Sequence, residues 1–101
     1  MDRRLELQHL LEDILGSSNV YFQPPNNIRM TYPCIVYALS SDQRLHADNH
    51  IYHRRKRYDV TVISRDPDDP LSDTVSNLQY SSFDRRFIAD GLTHDTFTIY
   101  Y

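Results

Sequence analysis

The chain has 101 residues, 40% of them hydrophobic and 25% charged, an ordinary balance for one soluble globular domain, since two halves would each be too small to bury a core. A formal net charge of −3 gives the molecule as a whole no pull towards nucleic acid or an anionic membrane, so any such binding has to be local. A single cysteine, Cys34, excludes an internal disulfide and a cysteine-based zinc site within one chain, and fits a reducing cytoplasm.

The N-terminal "MDRRLELQHLLEDILG" is charged from its second residue and has no uninterrupted apolar run, which argues against a signal peptide and a membrane span. Leu7, Leu10, Leu11 and Ile14 recur at helical spacing, with Asp2 as a cap and Gly16 as a left-handed stop, predicting an amphipathic helix over 2–15. "NVYFQ" is a short β-prone stretch stopped by Pro24-Pro25. "CIVYAL" (34–39) and "RYDVTVIS" (57–64) read as strands by composition and length. Asp69-Pro70 supplies a cap and a first-turn proline, and Leu71, Val75 and Leu78 share one face, predicting a short helix over about 70–79. Two further strands, "SSFDRRFIA" and "TFTIYY", flank a turn at Asp90-Gly91. Residues 1–101 are therefore read as a single α+β domain, mainly antiparallel sheet with a long projecting hairpin, packed by an N-terminal helix and a second short helix.

The register of the hairpin follows from alternation. With Asp48-Asn49 at the turn, Ala47 faces His50 and Tyr37 faces Val60; Ile35, Tyr37, Leu39, Tyr58, Val60 and Val62 then share the face that a helix would cover. Cys34, Val36, Ala38, Asp59, Thr61 and Ile63 share the other. The outer half, roughly 41–57, has no comparable apolar stripe and is expected to project beyond the core.

That outer half holds the most conspicuous polar cluster. "LHADNHIYHRRKRY" carries three histidines, but this register puts His46 and His53 on one face and His50 on the other, so they do not converge on the tetrahedral point a zinc ion requires. No metal and no cofactor are expected. The cations of "HRRKRY" are split by alternation too, Arg54 and Lys56 one way and Arg55 and Arg57 the other, giving a charged finger without a single basic groove. Acidic residues Asp66, Asp68, Asp69 and Asp73 gather at the corner after "RYDVTVIS", several of them explained as turn and cap residues. Catalytic motifs are absent: no G-x-S-x-G, P-loop or H-E-x-x-H, and no nucleophile whose spacing demands Asp84, His94 or Asp95. The expectation is that the chain is not an enzyme.

Two stretches together, "KRYDVTVISRDPDD" (56–69) and "FDRRFIADGLTHDTFTIYY" (83–101), resemble small tail proteins of long-tailed bacteriophages, most closely the tail terminator (tail completion) type. The likeness extends to the N-terminal helix, the "YPCIVY" strand and the terminal Tyr-Tyr. It implies a subunit that forms a ring, typically six-fold, capping the tail tube and docking to the neck of the capsid, with no enzyme activity and no cofactor. Its partners would be itself, the tail tube protein and a neck or connector protein, with DNA passing through the ring and no membrane; it would be assembled in the host cytoplasm and end in the virion.

Eight tyrosines against four phenylalanines and no tryptophan suit subunit interfaces, where a hydroxyl can stay wet. A head-to-tail ring needs two different complementary patches on each chain. The candidate pair is Arg54, Arg55, Lys56 and Arg57 on the finger against Asp66, Asp68, Asp69 and Asp73 of a neighbour. The two groups lie roughly thirty ångströms apart along one strand, too far to neutralise each other fully. Two alternatives stay open: another head–tail connector, such as a head-closure or stopper protein, and a small nucleic-acid-binding domain using the basic finger.

Overall fold

The computed structural model describes residues 3–24, 29–40, 46–47, 50–51 and 56–101. In chain order these form α1 (Arg3–Leu15), β1 (Val20–Phe22), β2 (Cys34–Leu39), β3 (His46–Ala47), β4 (His50–Ile51), β5 (Arg57–Ser64), α2 (Pro70–Ser76), β6 (Ser81–Ala89) and β7 (Leu92–Tyr100). The main sheet has five strands in the order β1-β2-β5-β7-β6. Only the β1–β2 pair is parallel; the other three pairs are antiparallel. The fold is α+β, as the sequence predicts.

Both helices cover one face of this sheet. Leu7 and Leu11 of α1 and Leu71 and Val75 of α2 pack into a core with Ile35, Tyr37, Tyr58, Val60, Val62, Phe97 and Ile99. Each fully buried aliphatic side chain of this kind contributes about 1.5–3 kcal/mol relative to leaving it in water. Tyr37 is buried to its ring, and its hydroxyl is met by α1: it donates to Gln8 Oε1 at 2.5 Å and accepts from Arg4 Nη1 at 3.3 Å. Gln8 Nε2 also donates to the Val20 carbonyl at 3.1 Å, which ties α1 over β1. Gly16, at φ +81°, closes α1 in the left-handed conformation, its N–H donating to the Glu12 carbonyl.

The β2–β5 register pairs Tyr37 with Val60 and Cys34 with Ile63, as alternation predicts. At β3–β4, His46 pairs with Ile51 and Ala47 with His50, again in the expected register. The turn residues Asp48-Asn49 and the segments 41–45 and 52–55 lie outside the described residues, and so does the continuity of the projecting hairpin. Two details differ from expectation. Leu39 is exposed, because the helix cover ends before it, while Cys34 and Ile63 on the opposite face are buried. The second helix ends at Ser76 with Asn77 as its C-cap, so Leu78 packs against the core from the following turn.

The β6–β7 hairpin turns on Asp90 and Gly91, both at positive φ (54° and 74°), the two-residue geometry that matches the twist of the flanking strands. β6 departs from regular alternation at Asp84: Phe83 faces Phe97, but the next pair is Arg85 with Thr96. The Thr96 hydroxyl satisfies this bulge, accepting from the Arg85 N–H at 3.2 Å and donating to the Arg85 carbonyl at 3.1 Å. Asp84 itself accepts from Thr98 Oγ1 at 2.9 Å.

Candidate assembly surface

The bulge has a chemical result. Without it, alternation from Phe83 would put Arg85 on the helix-covered face; with it, Arg86 takes that place and sits opposite Asp95. Asp95 is buried among the core rows of β7. Arg86 donates to it through Nε (2.6 Å) and Nη2 (3.0 Å), and Ser72 of α2 donates through Oγ (2.5 Å). The hydrogen bond from Arg86 holds the Asp95 carboxyl below the ordinary carboxylate range, against the opposing push of burial, with Ser72 adding to the effect. Arg86 is in turn raised, first by that bond and further by the nearby charges of Asp68 and Asp73.

The acidic corner thus divides by role. Asp69 caps α2, accepting from the Leu71 N–H and from Ser64 Oγ, both at 2.9 Å. Asp66 shapes the turn, accepting from the Asp68 N–H at 2.9 Å. Asp68 and Asp73 are exposed and lie in the field of Arg86. At the far end of β5, Lys56 is exposed and its backbone pairs in both directions with Tyr101. Arg57 faces Tyr100, and its Nε is buried without a hydrogen-bond partner among the described residues. Arg54 and Arg55 lie outside the described residues, as do Asp48 and His53. The structure therefore places the acidic group and the described part of the basic group at opposite ends of β5 and does not bring them together within the chain.

Sequence reasoning missed Arg86 as a partner of the acidic corner. A signal for it existed: with Phe97 and Ile99 on the core face, alternation puts Asp95 there too, and a carboxylate in a core row demands a cation or donor.

The outermost strand carries the other notable surface. Phe83, Phe87 and Ile88 of β6 are exposed, Ile88 at 72%. Phe83 and Ile88 share the helix-side face but lie past the helices' cover, and Phe87 stacks on His94 across the opposite face at 4.7 Å. A groove of about 300 Å³ elsewhere is lined by Leu10, Leu78, Tyr80, Ile99 and Tyr101 among others. Among the described residues there is no group of three His, Cys, Asp or Glu side chains placed to hold a metal ion, and no helix is long and apolar enough to cross a membrane.

Comparisons with family models, with curated proteins and with solved structures find no match for this chain.

Proposed function

We propose that this chain is a structural subunit of a phage head–tail junction, forming a ring that caps the tail tube and joins it to the neck. The observation that carries the reading is β6, a nine-residue edge strand bearing exposed Phe83, Phe87 and Ile88. Exposed apolar edges on a soluble domain are interaction surfaces or aggregation hazards, and an assembly subunit uses them. The resemblance of 56–69 and 83–101 to tail terminator proteins supports the same reading. So does the separation of charge along β5, with Lys56 and Arg57 at one end and the acidic corner beyond the other, since a head-to-tail ring requires unlike patches on one chain.

In this reading the chemistry is recognition alone: the finger of Arg54, Arg55, Lys56 and Arg57 reaches a neighbour's carboxylates, led by Asp68 and Asp73, while Asp66 and Asp69 hold the corner in shape. Light scattering on the purified protein, followed by electron microscopy, tests it. A closed ring is the expected result. A monomer that binds DNA in low salt and releases it in moderate salt would favour the nucleic-acid-binding alternative instead.

A further inference from the structure

Among the described residues the sheet ends on two edge strands of different kind. β1 is three residues long and pairs with β2, the Val20 carbonyl on its outer side also accepting from Gln8 Nε2; β6 is nine residues long and pairs with β7. Following the ladder, β1 and β2 run one way, β5 the other, β7 back again, and β6 against β7. β6 is therefore antiparallel to β1. When a second copy is placed edge to edge in the same orientation, its β1 meets β6 as one more antiparallel pair, and the alternation runs on through the junction.

We infer that β6 binds the β1 edge of a second copy of this chain, with Phe87 opposite the neighbour's Tyr21. The inference rests on the ring reading above and names the contact that builds it. Three features select this occupant and this register. First, length: the bulge at Asp84 breaks β6, leaving Arg85–Ala89 as the regular stretch beyond it, and a three-residue strand fits within such a stretch. Second, faces: Val20 and Phe22 lie on the helix side of β1, paired to Ile35 and Tyr37, and Tyr21 lies on the other. In β6, Arg86 and Ile88 are on the helix side and Phe87 on the other. Setting Tyr21 against Phe87 then matches aromatic with aromatic, a pairing that sheets favour, and places Ile88 opposite Val20, which its own core already covers.

Third, charge. This register brings Phe22 opposite Arg86. Arg4 of α1 lies over the Phe22 ring at 4.5 Å while donating to the Tyr37 hydroxyl, so an engaged cation stands beside the β1 edge there. Arg86 is paired with the buried Asp95, and the exposed Asp68 and Asp73 add negative charge around it, so that end of the β6 surface carries more acid than base. The approaching cation meets an acidic surround. The backbone ladder is short, so side chains supply most of the selectivity, as in other strand-addition contacts.

Cysteine pairing tests this directly. Opposed residues on neighbouring strands have the Cβ separation that a disulfide needs. Tyr21→Cys and Phe87→Cys are made separately and mixed, then oxidised with a mild copper catalyst. The expected product is a disulfide-linked heterodimer, formed by the mixture and by neither variant alone; the double variant is expected to give a ladder of linked chains. A Phe87→Cys dimer formed without its counterpart means that two β6 strands meet about a two-fold axis, which overturns the inference. A guard against misfolded variants is hydrogen exchange on the unaltered protein: amides of 86–89 are expected to be slowed in the oligomer relative to diluted chain. An oligomer that shows neither the cross-link nor that protection overturns the β6–β1 contact and leaves the ring reading standing. A chain that stays monomeric at every concentration overturns both.

Discussion

Arg86 and Asp95 form a two-pronged ion pair between adjacent strands, at 2.6 and 3.0 Å, with the carboxylate buried and the guanidinium open to solvent on its far side. Because the pair lowers the folded-state pKa of Asp95, its contribution is present above the unfolded carboxylate pKa, about 3.9, and is lost as pH falls through the depressed folded value. Thermal melts are expected to show stability falling from about pH 4 downwards. Asp95→Asn is expected to cost about 1–2 kcal/mol at neutral pH, a figure kept small because the guanidinium can return to water, and to flatten that acid limb. An unchanged acid limb in Asp95→Asn would show that other carboxylates govern it.

Val60 is fully buried at the centre of the sheet, between Tyr37 and Phe97. Val60→Asp puts an unpaired charge there and is expected to cost about 4 kcal/mol or more, a large part of the roughly 5–15 kcal/mol that holds a domain together. Thr61→Asp, on the face away from the helices and half-buried, is expected to stay folded. Circular dichroism and solubility of the two variants decide the point; the reverse outcome would exchange the faces.

At the acidic corner, stability and assembly are separable. Asp69→Ala removes the α2 cap and the Ser64 hydroxyl's acceptor, and should cost at least about 1 kcal/mol, a fall of roughly 4–8 °C in Tm. Asp68→Ala and Asp73→Ala should stay within about 0.5 kcal/mol of the parent, as exposed positions do, while weakening oligomers in light scattering. Equal losses of Tm at all three positions would contradict this division.

The basic finger is tested by reversal. Arg54→Glu with Arg55→Glu should abolish oligomers while leaving the chain folded, and changing Asp68 and Asp73 to Lys as well should restore partial assembly. Normal assembly by the first double variant, or loss of DNA binding alone, would remove the finger from the interface.

Cys34 is buried on β2, and burial pushes its thiol up to about 11. Since the thiolate is the reactive form, an aromatic disulfide reagent at pH 8 should label the native protein slowly and the denatured protein at once. Rapid labelling of native protein would show that the sheet opens locally at β2.

Much of this fold was legible because alternation and helical spacing act locally. The Tyr37–Val60 pairing, the cap at Asp69 and the turn at Asp90-Gly91 each follow from a few neighbouring residues, and each is found. The parallel placement of β1 beside β2 was not legible, since nothing local sets the direction of a strand reached through a long connection. Nor was the turning of Arg86 towards Asp95. One extra residue at Asp84 reverses which arginine of "DRR" faces the helices, and a bulge leaves no mark in composition. The sequence shows the candidate interface as charged patches and abundant tyrosine; the exposed apolar side chains of β6 do not stand out in it, because edge position is a property of the assembled sheet.

The short turn at Asp90-Gly91 also bears on the order in which the chain takes shape. β6 and β7 meet by closing a two-residue loop, whereas β5 must find β2 across residues 40–56 and find β7 across α2 and β6. Loop-closure entropy favours the nearer contact, so the β6–β7 hairpin is expected to be among the earliest structure in a refolding chain. Phe83, Phe87 and Ile88 would then be on display before the helices have docked, and a crowded population of newly made chains would find one another through that edge before each is finished. Yield of native protein should accordingly fall with concentration during refolding, with early amide protection in 81–100 preceding protection in 34–39.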